Sequence, residues 1–191
     1  MNIDAFKALG QLKHFTTNEF ICTENEEGNT AYLLLQGIVN IKRDATLKSS
    51  EQIARLKPGA VFGEMSLLED KLRNASAIAA TEDTIVCELT KDNFLSILNY
   101  DKDIAWNLLR TLLIRTEEGI QNSQLGSLAF VSGFKQNTYY LQLQRMSREQ
   151  FFEIVEKDEA YALKLLKFLS GTLAQLNEEA HQKRVKHYSY Y

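Results

Sequence analysis

The stretch FGEMSLLEDKLRNAS, residues 62–76, decides what can be predicted for this chain of 191 residues. Gly63 lets the backbone approach a ligand closely, and a short helical turn beginning near Met65 would present backbone N–H groups that bind phosphate. Glu64 is an acceptor suited to a hydroxyl group, and Arg73, nine positions further on, carries a forked set of donors that fits phosphate oxygens. The stretch therefore predicts a site for a ribose phosphate. An ordinary ion pair between Glu64 and Arg73 remains the alternative.

Strand signals lie on both sides of this stretch. Residues 19–41 alternate or run apolar in short bursts separated by turn-forming residues, residues 44–50 are typical of a polar hairpin tip, and 52–56 form another strand signal. Strand character returns at residues 77–89. Many short strands with regular turns indicate a small sandwich or barrel.

The hydrophobic period becomes helical after residue 90. Thr90 is predicted to cap a short helix, and a longer helix is predicted from about 103 to 130. The apolar residues of the longer helix recur at spacings of three, four and seven: Trp106, Leu109, Leu113, Ile120 and Phe130. Because smaller residues such as Thr116 fill the same register, this pattern predicts a seam where two helices approach closely. Packing of the stripe on the strands is the alternative.

A shift of 57 positions reveals a partial repeat in the helical part of the chain. It aligns Phe94 with Phe151, Ile97 with Ile154, Asp101 with Asp158, Ala105 with Ala162, Leu108 with Leu165, Leu109 with Leu166, and Leu112 with Leu169. A partial duplication or independent convergence of two amphipathic helices explains this. Only residues 126–145 precede the second copy, with a possible strand at 139–143, so it has no room for a barrel of its own.

Charge and hydropathy argue against two classes of partner. The net charge is −3, so no sequence-independent electrostatic attraction to nucleic acid is expected. The densest apolar stretch, residues 108–114, is interrupted by Arg110 and is far shorter than the ~20 residues of a spanning helix. The amino terminus has no signal pattern. We therefore expect neither nucleic acid nor membrane as a partner.

The cysteines and histidines predict a reduced protein without a metal. Cys22 and Cys87 both lie in strand-like surroundings, which favours two buried thiols in a cytoplasmic protein over a disulfide. The three histidines lie far from both cysteines and lack the spacing of metal ligands.

Residues 62–76 resemble the phosphate-binding cassette of the cyclic-nucleotide-binding family, of the catabolite activator protein and protein kinase A regulatory subunit type. That cassette has Phe-Gly-Glu, an apolar pair, an arginine nine or ten positions after the glutamate, and then small residues. This chain has FGEMSLL, then Arg73, then NASA. The segments YLLLQGIVNI and LKPGAVFGE also resemble the family, and the resemblance covers about residues 10 to 120.

The resemblance implies an α+β fold: an eight-stranded antiparallel jelly-roll-like β-barrel flanked by helices, with a long helix after the barrel and a helical C-terminal extension. Residues 1–120 would form the cyclic-nucleotide-binding domain. Residues 121–191 would form an extension resembling a truncated second copy of the barrel-flanking helices.

The resemblance also implies the site. Glu64 would accept the ribose 2′-hydroxyl beside the Gly63 backbone, and Arg73 would pair with the cyclic phosphate, assisted by backbone N–H groups at Ser66 and at Asn74 or Ala75. The implied ligand-binding residues are Phe62, Gly63, Glu64, Met65, Ser66, Arg73, Asn74, Ala75, Gln121 and Asn122. The ligand would be cAMP or cGMP, and no metal is expected.

Three positions need separate interpretation. Asn74 stands where the family usually has alanine, serine or threonine, so its side chain either contacts the ligand or caps a turn. GSLAF, residues 126–130, resembles the end of the family's long helix. This match places Gln121 and Asn122 where they would contact the base, although both residues are equally compatible with a solvated surface.

The predicted function is a regulatory module, not an enzyme, that binds cAMP in preference to cGMP. It would transmit binding through its C-terminal helices to a protein partner or to a homodimer interface on the long helix. From residue 120 onward the chain has nine Lys or Arg against seven Asp or Glu, with a small basic tail, and no helix-turn-helix is evident. A divergent nucleotide-responsive transcription regulator, with an unrecognised DNA-binding region, is the alternative.

Overall fold

The computed structural model describes residues 3–47, 50–122 and 137–188. These ranges contain eight strands: β1 (Gln11–Phe15), β2 (Phe20–Cys22), β3 (Thr30–Gln36), β4 (Val39–Arg43), β5 (Glu51–Leu56), β6 (Val61–Phe62), β7 (Ser76–Ala79) and β8 (Thr84–Thr90). The helices are α1 (Ile3–Leu9), α2 (Glu64–Glu69), α3 (Lys91–Tyr100), α4 (Lys102–Asn122), α5 (Thr138–Arg145), α6 (Arg148–Lys157) and α7 (Tyr161–Tyr188).

The strands form two antiparallel sheets of four strands each. One sheet has the order β1-β8-β3-β6, and the other has the order β2-β7-β4-β5. The predicted eight antiparallel strands and flanking helices are present, but the predicted closed barrel is wrong. Within the described ranges, the outer strands of each sheet pair on one side only, so neither sheet closes on itself or on the other.

Apolar residues from both sheets share one buried cluster. Its members are Ile21, Tyr32, Leu34, Val39, Phe62, Ala77 and Val86. Tyr32 and Leu34 are two positions apart and therefore point to the same face of β3. The Tyr32 and Phe62 rings stack with their centroids 5.1 Å apart, and the two residues are also register partners. This pairing fixes the start of the 62–76 stretch beside β3.

The chain divides into two compact units, Met1–Ile104 and Ala105–Tyr191. The first contains both sheets with α1 to α3, and the second contains most of α4 with α5 to α7. The predicted boundary near residue 120, between the cyclic-nucleotide-binding domain and the C-terminal extension, is not tested by this division and stays a prediction. In the ranges given above, no helix combines the length and apolar character needed to cross a bilayer.

The helical part of the chain follows the sequence pattern with one exception. Thr90 caps α3, because its hydroxyl accepts from the Asn93 backbone N–H at 3.3 Å. The predicted long helix is α4, and its expected continuation through residues 123–130, including GSLAF, lies outside the described residues. The possible strand at 139–143 is wrong. This segment is part of α5, in which Tyr140 and Leu143 are buried three positions apart, as on one helical face.

Helices α3 and α6 share length and end geometry. Each contains 10 residues. Each ends at an aspartate whose backbone N–H donates to an isoleucine carbonyl four positions earlier: Asp101 to Ile97 at 2.8 Å, and Asp158 to Ile154 at 2.9 Å. These residues are related by the shift of 57 positions.

The start of α6 provides a test of local stability. Ser147 forms a capping box, since its hydroxyl accepts from the Gln150 backbone N–H while the Gln150 side chain accepts from the Ser147 N–H. We expect Ser147→Ala to lower the free energy of unfolding by about 1 kcal/mol. Urea denaturation followed by circular dichroism measures this change. Ser147→Thr, which keeps an acceptor, is the control, and an equal loss in both variants would contradict the capping role.

Candidate functional site

The glycine of the 62–76 stretch adopts a conformation that other residues rarely do. Gly63 lies between β6 and α2 with φ 75° and ψ −1°, in the left-handed region. A side chain there would be strained, and its Cβ would lie only 2.8 Å from Nη1 of Arg73. The Gly63 backbone therefore lies close to the arginine of the same stretch, and its predicted close approach to a ligand stays a prediction.

The Arg73 guanidinium is buried and held by three acceptors. Arg73 as a whole residue is only 4% exposed to solvent. Nη1 donates to the Gly63 carbonyl at 2.7 Å and to Ser66 Oγ at 3.0 Å, and Nη2 donates to Thr30 Oγ1 at 2.8 Å. A guanidinium has five N–H donors. Two of them have no partner among the described residues, so they are available to a further acceptor.

Two residues of this arrangement were missed by the sequence analysis. Thr30 Oγ1 accepts from Arg73 and donates to the Tyr32 hydroxyl at 2.9 Å, and the Arg73 Cζ lies 5.6 Å from the centre of the Tyr32 ring. Burial raises the pKa of the Tyr32 phenol above its usual value, so the hydroxyl stays protonated at neutral pH. Thr30 and Tyr32 share a strand face, but only the pairing of β3 with β6 brings that face to Arg73.

The backbone at Arg73 is fixed by the turn before β3. The Arg73 N–H donates to the Glu26 carbonyl at 2.7 Å, and the Arg73 carbonyl accepts from the Asn25 N–H at 2.9 Å. A Cβ on Gly28 would lie 2.3 Å from the Ser66 Cβ, so only glycine allows the turn to lie this close to α2. Backbone and side chain of Arg73 are therefore held independently.

The remaining predicted residues of the stretch differ in how far they are exposed. Glu64, the first residue of α2, is 1% exposed. Phe62 and Ser66 are also buried, whereas Met65, Asn74 and Ala75 are partly exposed.

The segment directly after Arg73 offers two further donors. The backbone N–H groups of Asn74 and Ala75 have no acceptor in the described part of the chain. These two N–H groups follow the buried Arg73 guanidinium, which itself has two N–H donors without a partner among the described residues. Such a group of donors is suited to binding an anion.

The residues predicted to contact a base belong to the end of α4. Gln121 is exposed on α4, and Asn122 ends that helix. Both belong to the second compact unit, whereas the 62–76 stretch belongs to the first. Their role in binding stays a prediction.

The other chemistry-bearing residues do not form a second site. Cys22 and Cys87 are free thiols, and burial raises the pKa of both. For Cys22 the nearby Arg73 charge works against this shift. Among residues 3–47, 50–122 and 137–188, no group of three or more His, Cys, Asp or Glu side chains is arranged to hold a metal ion.

Comparison with known proteins gives consistent matches for the part of the chain that contains residues 62–76. The family model described as cyclic nucleotide-binding domain matches residues 12–101. The Cyclic AMP receptor protein of Thermus thermophilus is 29% identical over 153 residues, which cover 80% of this chain and 69% of that protein. The cAMP-dependent protein kinase regulatory subunit of Hypocrea atroviridis is 32% identical over 111 residues, or 58% of this chain and 22% of that protein.

A solved structure described as "A cyclic-GMP-dependent signalling pathway regulates bacterial phytopathogenesis" resembles the fold. It is 24% identical, with a TM-score of 0.50, and covers 64% of this chain and 94% of that one. The match of residues 12–101 contains the whole 62–76 stretch and both sheets apart from one residue of β1. Residues 12–101 thus match the cyclic nucleotide-binding domain family, and this match includes the whole candidate site.

Proposed function

We propose that this protein is a regulatory module that binds a cyclic nucleotide, with cAMP favoured over cGMP, and passes the binding event through its C-terminal helices. Arg73 is the residue that carries the proposal. Its buried guanidinium is held in place by Gly63, Ser66 and Thr30, yet two of its donors lack a partner among the described residues. A cyclic phosphate with one negative charge supplies the missing acceptors and balances the buried charge.

Backbone donors complete the proposed phosphate site. The N–H groups of Asn74 and Ala75 follow Arg73 directly and have no acceptor in the described ranges. In the proposed complex one or both donate to the phosphate, together with the Ser66 N–H. The sugar then lies towards Glu64, whose carboxylate accepts the ribose 2′-hydroxyl. In the sequence, Phe62 and Met65 lie on either side of Gly63 and Glu64.

The proposed preference for cAMP rests on the relatives. Those from Thermus thermophilus and Hypocrea atroviridis both carry cyclic AMP in their names. In the proposed complex, the amides of Gln121 and Asn122 contact the base, because an amide both donates and accepts as adenine requires. Competition between cAMP and cGMP for the same site tests the preference.

The proposal assigns no catalytic step to this chain. A thiol with a raised pKa is a poor nucleophile, and desolvation raises the pKa of both the partly buried Cys22 and the buried Cys87. In the proposed complex Arg73 holds the phosphate and Glu64 holds the ribose, and neither transfers a proton to or from the ligand. The two free thiols also favour a cytoplasmic location.

The binding event has a continuous path to the helices. Asp70, which ends α2, forms an ion pair with Lys91, the first residue of α3. Only Asp101 separates α3 from α4. A change in the 62–76 stretch on binding therefore acts on α3 and, through it, on α4. The receiver is a protein that binds residues 147–180 or, as predicted from the sequence, a second copy that pairs through α4.

The second candidate function is a nucleotide-responsive transcription regulator. Its support is the Cyclic AMP receptor protein of Thermus thermophilus, whose alignment extends over 153 residues and so beyond the matched domain. DNA binding would then reside in the helices after residue 122.

Removal of the arginine tests the phosphate site. We expect Arg73→Ala to weaken cAMP binding by about 100-fold to several thousand-fold, which corresponds to about 3–5 kcal/mol, because the phosphate charge is left unpaired. Isothermal titration calorimetry measures the change. Lys71→Ala, which removes a nearby exposed cation paired with Glu69, is the matched control. Equal affinity of the Arg73 variant and wild type, both folded by circular dichroism, would refute the site.

The ribose contact is tested with a pair of ligands. We expect 2′-deoxy-cAMP to bind wild type about 10- to 100-fold more weakly than cAMP, since a hydrogen bond to a charged group contributes about 1.5–3 kcal/mol. In Glu64→Gln the penalty for losing the 2′-hydroxyl should be much smaller. Glu69→Gln, at the other end of α2, should keep the full penalty. The assignment fails if Glu64→Gln keeps it as well.

A duplex-binding assay separates the two candidate functions. For a regulatory module without a DNA site, we expect no duplex binding at physiological salt, with or without cAMP, as measured by fluorescence anisotropy with random-sequence DNA. A DNA-binding protein would instead bind with an affinity that falls steeply as salt rises. Binding that appears only with cAMP would favour the transcription regulator.

A further inference from the structure

The N–H donors of the Arg73 guanidinium are unevenly used. Nη1 has two hydrogens and two acceptors, the Gly63 carbonyl at 2.7 Å and Ser66 Oγ at 3.0 Å. Nη2 also has two hydrogens and gives one of them to Thr30 Oγ1 at 2.8 Å. Within the described ranges, the donors left for a ligand are therefore on Nε and Nη2, and none is on Nη1.

The unused Nε–H of Arg73 reaches the surface. In the described part of the chain, the side-chain polar atoms that are fully buried without a hydrogen-bond partner are Asn40 Oδ1 and Glu179 Oε2. Nε of Arg73 also lacks a partner there but is not one of these atoms, so it is not fully buried. An accessible donor on an otherwise buried cation is the point at which an anion can reach it.

Thr30 holds the guanidinium from outside the 62–76 stretch. It is 43 positions from Arg73, and the sheet sets its place, because it is the register partner of Thr90 in β8. The Thr30 hydroxyl gives its single hydrogen to the Tyr32 hydroxyl at 2.9 Å. Thr30 Oγ1 can therefore act towards Arg73 only as an acceptor, in a direction that the Tyr32 contact fixes.

Tyr32 limits the guanidinium on another side. Its ring stacks on Phe62, and the Arg73 Cζ lies over the ring, 5.6 Å from its centre. A Cβ on Gly63 would lie 3.1 Å from Cδ2 of Tyr32 and 3.3 Å from the Thr30 carbonyl oxygen, so the start of β3 also packs closely on the turn before α2. The ring restricts tilting of the guanidinium plane, and the Thr30 hydroxyl restricts its rotation within that plane.

We infer that Thr30, supported by Tyr32, is a positioning residue that fixes the Arg73 guanidinium with Nε and Nη2 towards the ligand, so that the site distinguishes the two exocyclic oxygens of a cyclic phosphate. These oxygens are stereochemically different, and a guanidinium held in one orientation meets them unequally. The nature of the ligand rests on the proposed function, whereas the orientation of the arginine does not. Thr30 acts through Arg73.

A measurement without ligand tests the orientation. Proton–nitrogen correlation spectra of the arginine side chains should show separate signals for the Nη hydrogens of Arg73, assigned by their loss in Arg73→Lys. We expect Thr30→Val to merge the two Nη2 signals, because Nη2 loses its acceptor, and Thr30→Ser to keep them apart. Thr84→Val, which removes a buried hydroxyl of β8, is the matched control and should also keep them apart. Separate Nη2 signals in folded Thr30→Val would overturn the positioning role.

A pair of ligands tests the consequence for binding. The Rp and Sp phosphorothioate analogues of cAMP each replace a different exocyclic oxygen by sulfur, which is a weaker hydrogen-bond acceptor. We expect the affinities of wild type and of Thr30→Ser for the two analogues to differ by about 10-fold or more, and those of Thr30→Val by about 3-fold or less, as measured by isothermal titration calorimetry. Tyr32→Phe, which keeps the ring but frees the Thr30 hydroxyl, should give an intermediate ratio.

The outcomes separate this inference from the proposed function. Thr84→Val should keep the wild-type ratio, because a general loss of stability weakens both analogues equally. The wild-type ratio in folded Thr30→Val would overturn the inference, and if that variant does not fold, the wild-type ratio in Tyr32→Phe would do so. Failure of wild type to bind cAMP and both analogues would instead count against the proposed function, and the spectra without ligand would still decide the orientation of Arg73.

Discussion

The hydrogen bond from Arg73 to the Gly63 carbonyl is the interaction on which the proposed site depends. A buried guanidinium is costly unless its donors are paired, so the chain must bring acceptors to it. Gly63 does so by its left-handed conformation, which turns β6 into α2 with no side chain in the way. Thr30 does so from β3, because the Tyr32–Phe62 stack fixes the two strands together. The sheet thereby positions the cation before any ligand binds.

The residues that hold the arginine are also the residues that would adjoin the proposed ligand. In the proposed complex the phosphate accepts from the two donors that Gly63, Ser66 and Thr30 leave unused, and so adjoins the start of α2. The other end of α2 is tied to α3 through Asp70 and Lys91. A surface ion pair of this kind contributes little stability. It nevertheless joins the end of α2 to the start of α3, the helix that precedes α4.

Local signals in the sequence predicted the parts of this arrangement that depend on neighbouring residues. The turn at the start of the 62–76 stretch, the cap at Thr90 and the presence of many short strands belong to this class, whereas the count of eight strands came from the family resemblance. Contacts between distant residues were not accessible: Thr30 is 43 positions from Arg73, and nothing near Thr30 indicates an arginine partner. Closure of a barrel likewise depends on pairing at strand edges. The segment at 139–143 was misread because its aromatic residues favour strands, whereas burial of Tyr140 and Leu143 selects a helix.

The partial repeat is visible in geometry as well as in sequence. Helices α3 and α6 have the same length, and each ends at an aspartate whose backbone N–H donates to an isoleucine carbonyl four positions earlier. The aligned apolar residues of α4 and α7 are buried in both helices, because a helix with a one-sided apolar face is stable only where that face is covered. A partial duplication and an independent convergence of two amphipathic helices both produce this pattern, since each requires the same apolar spacing.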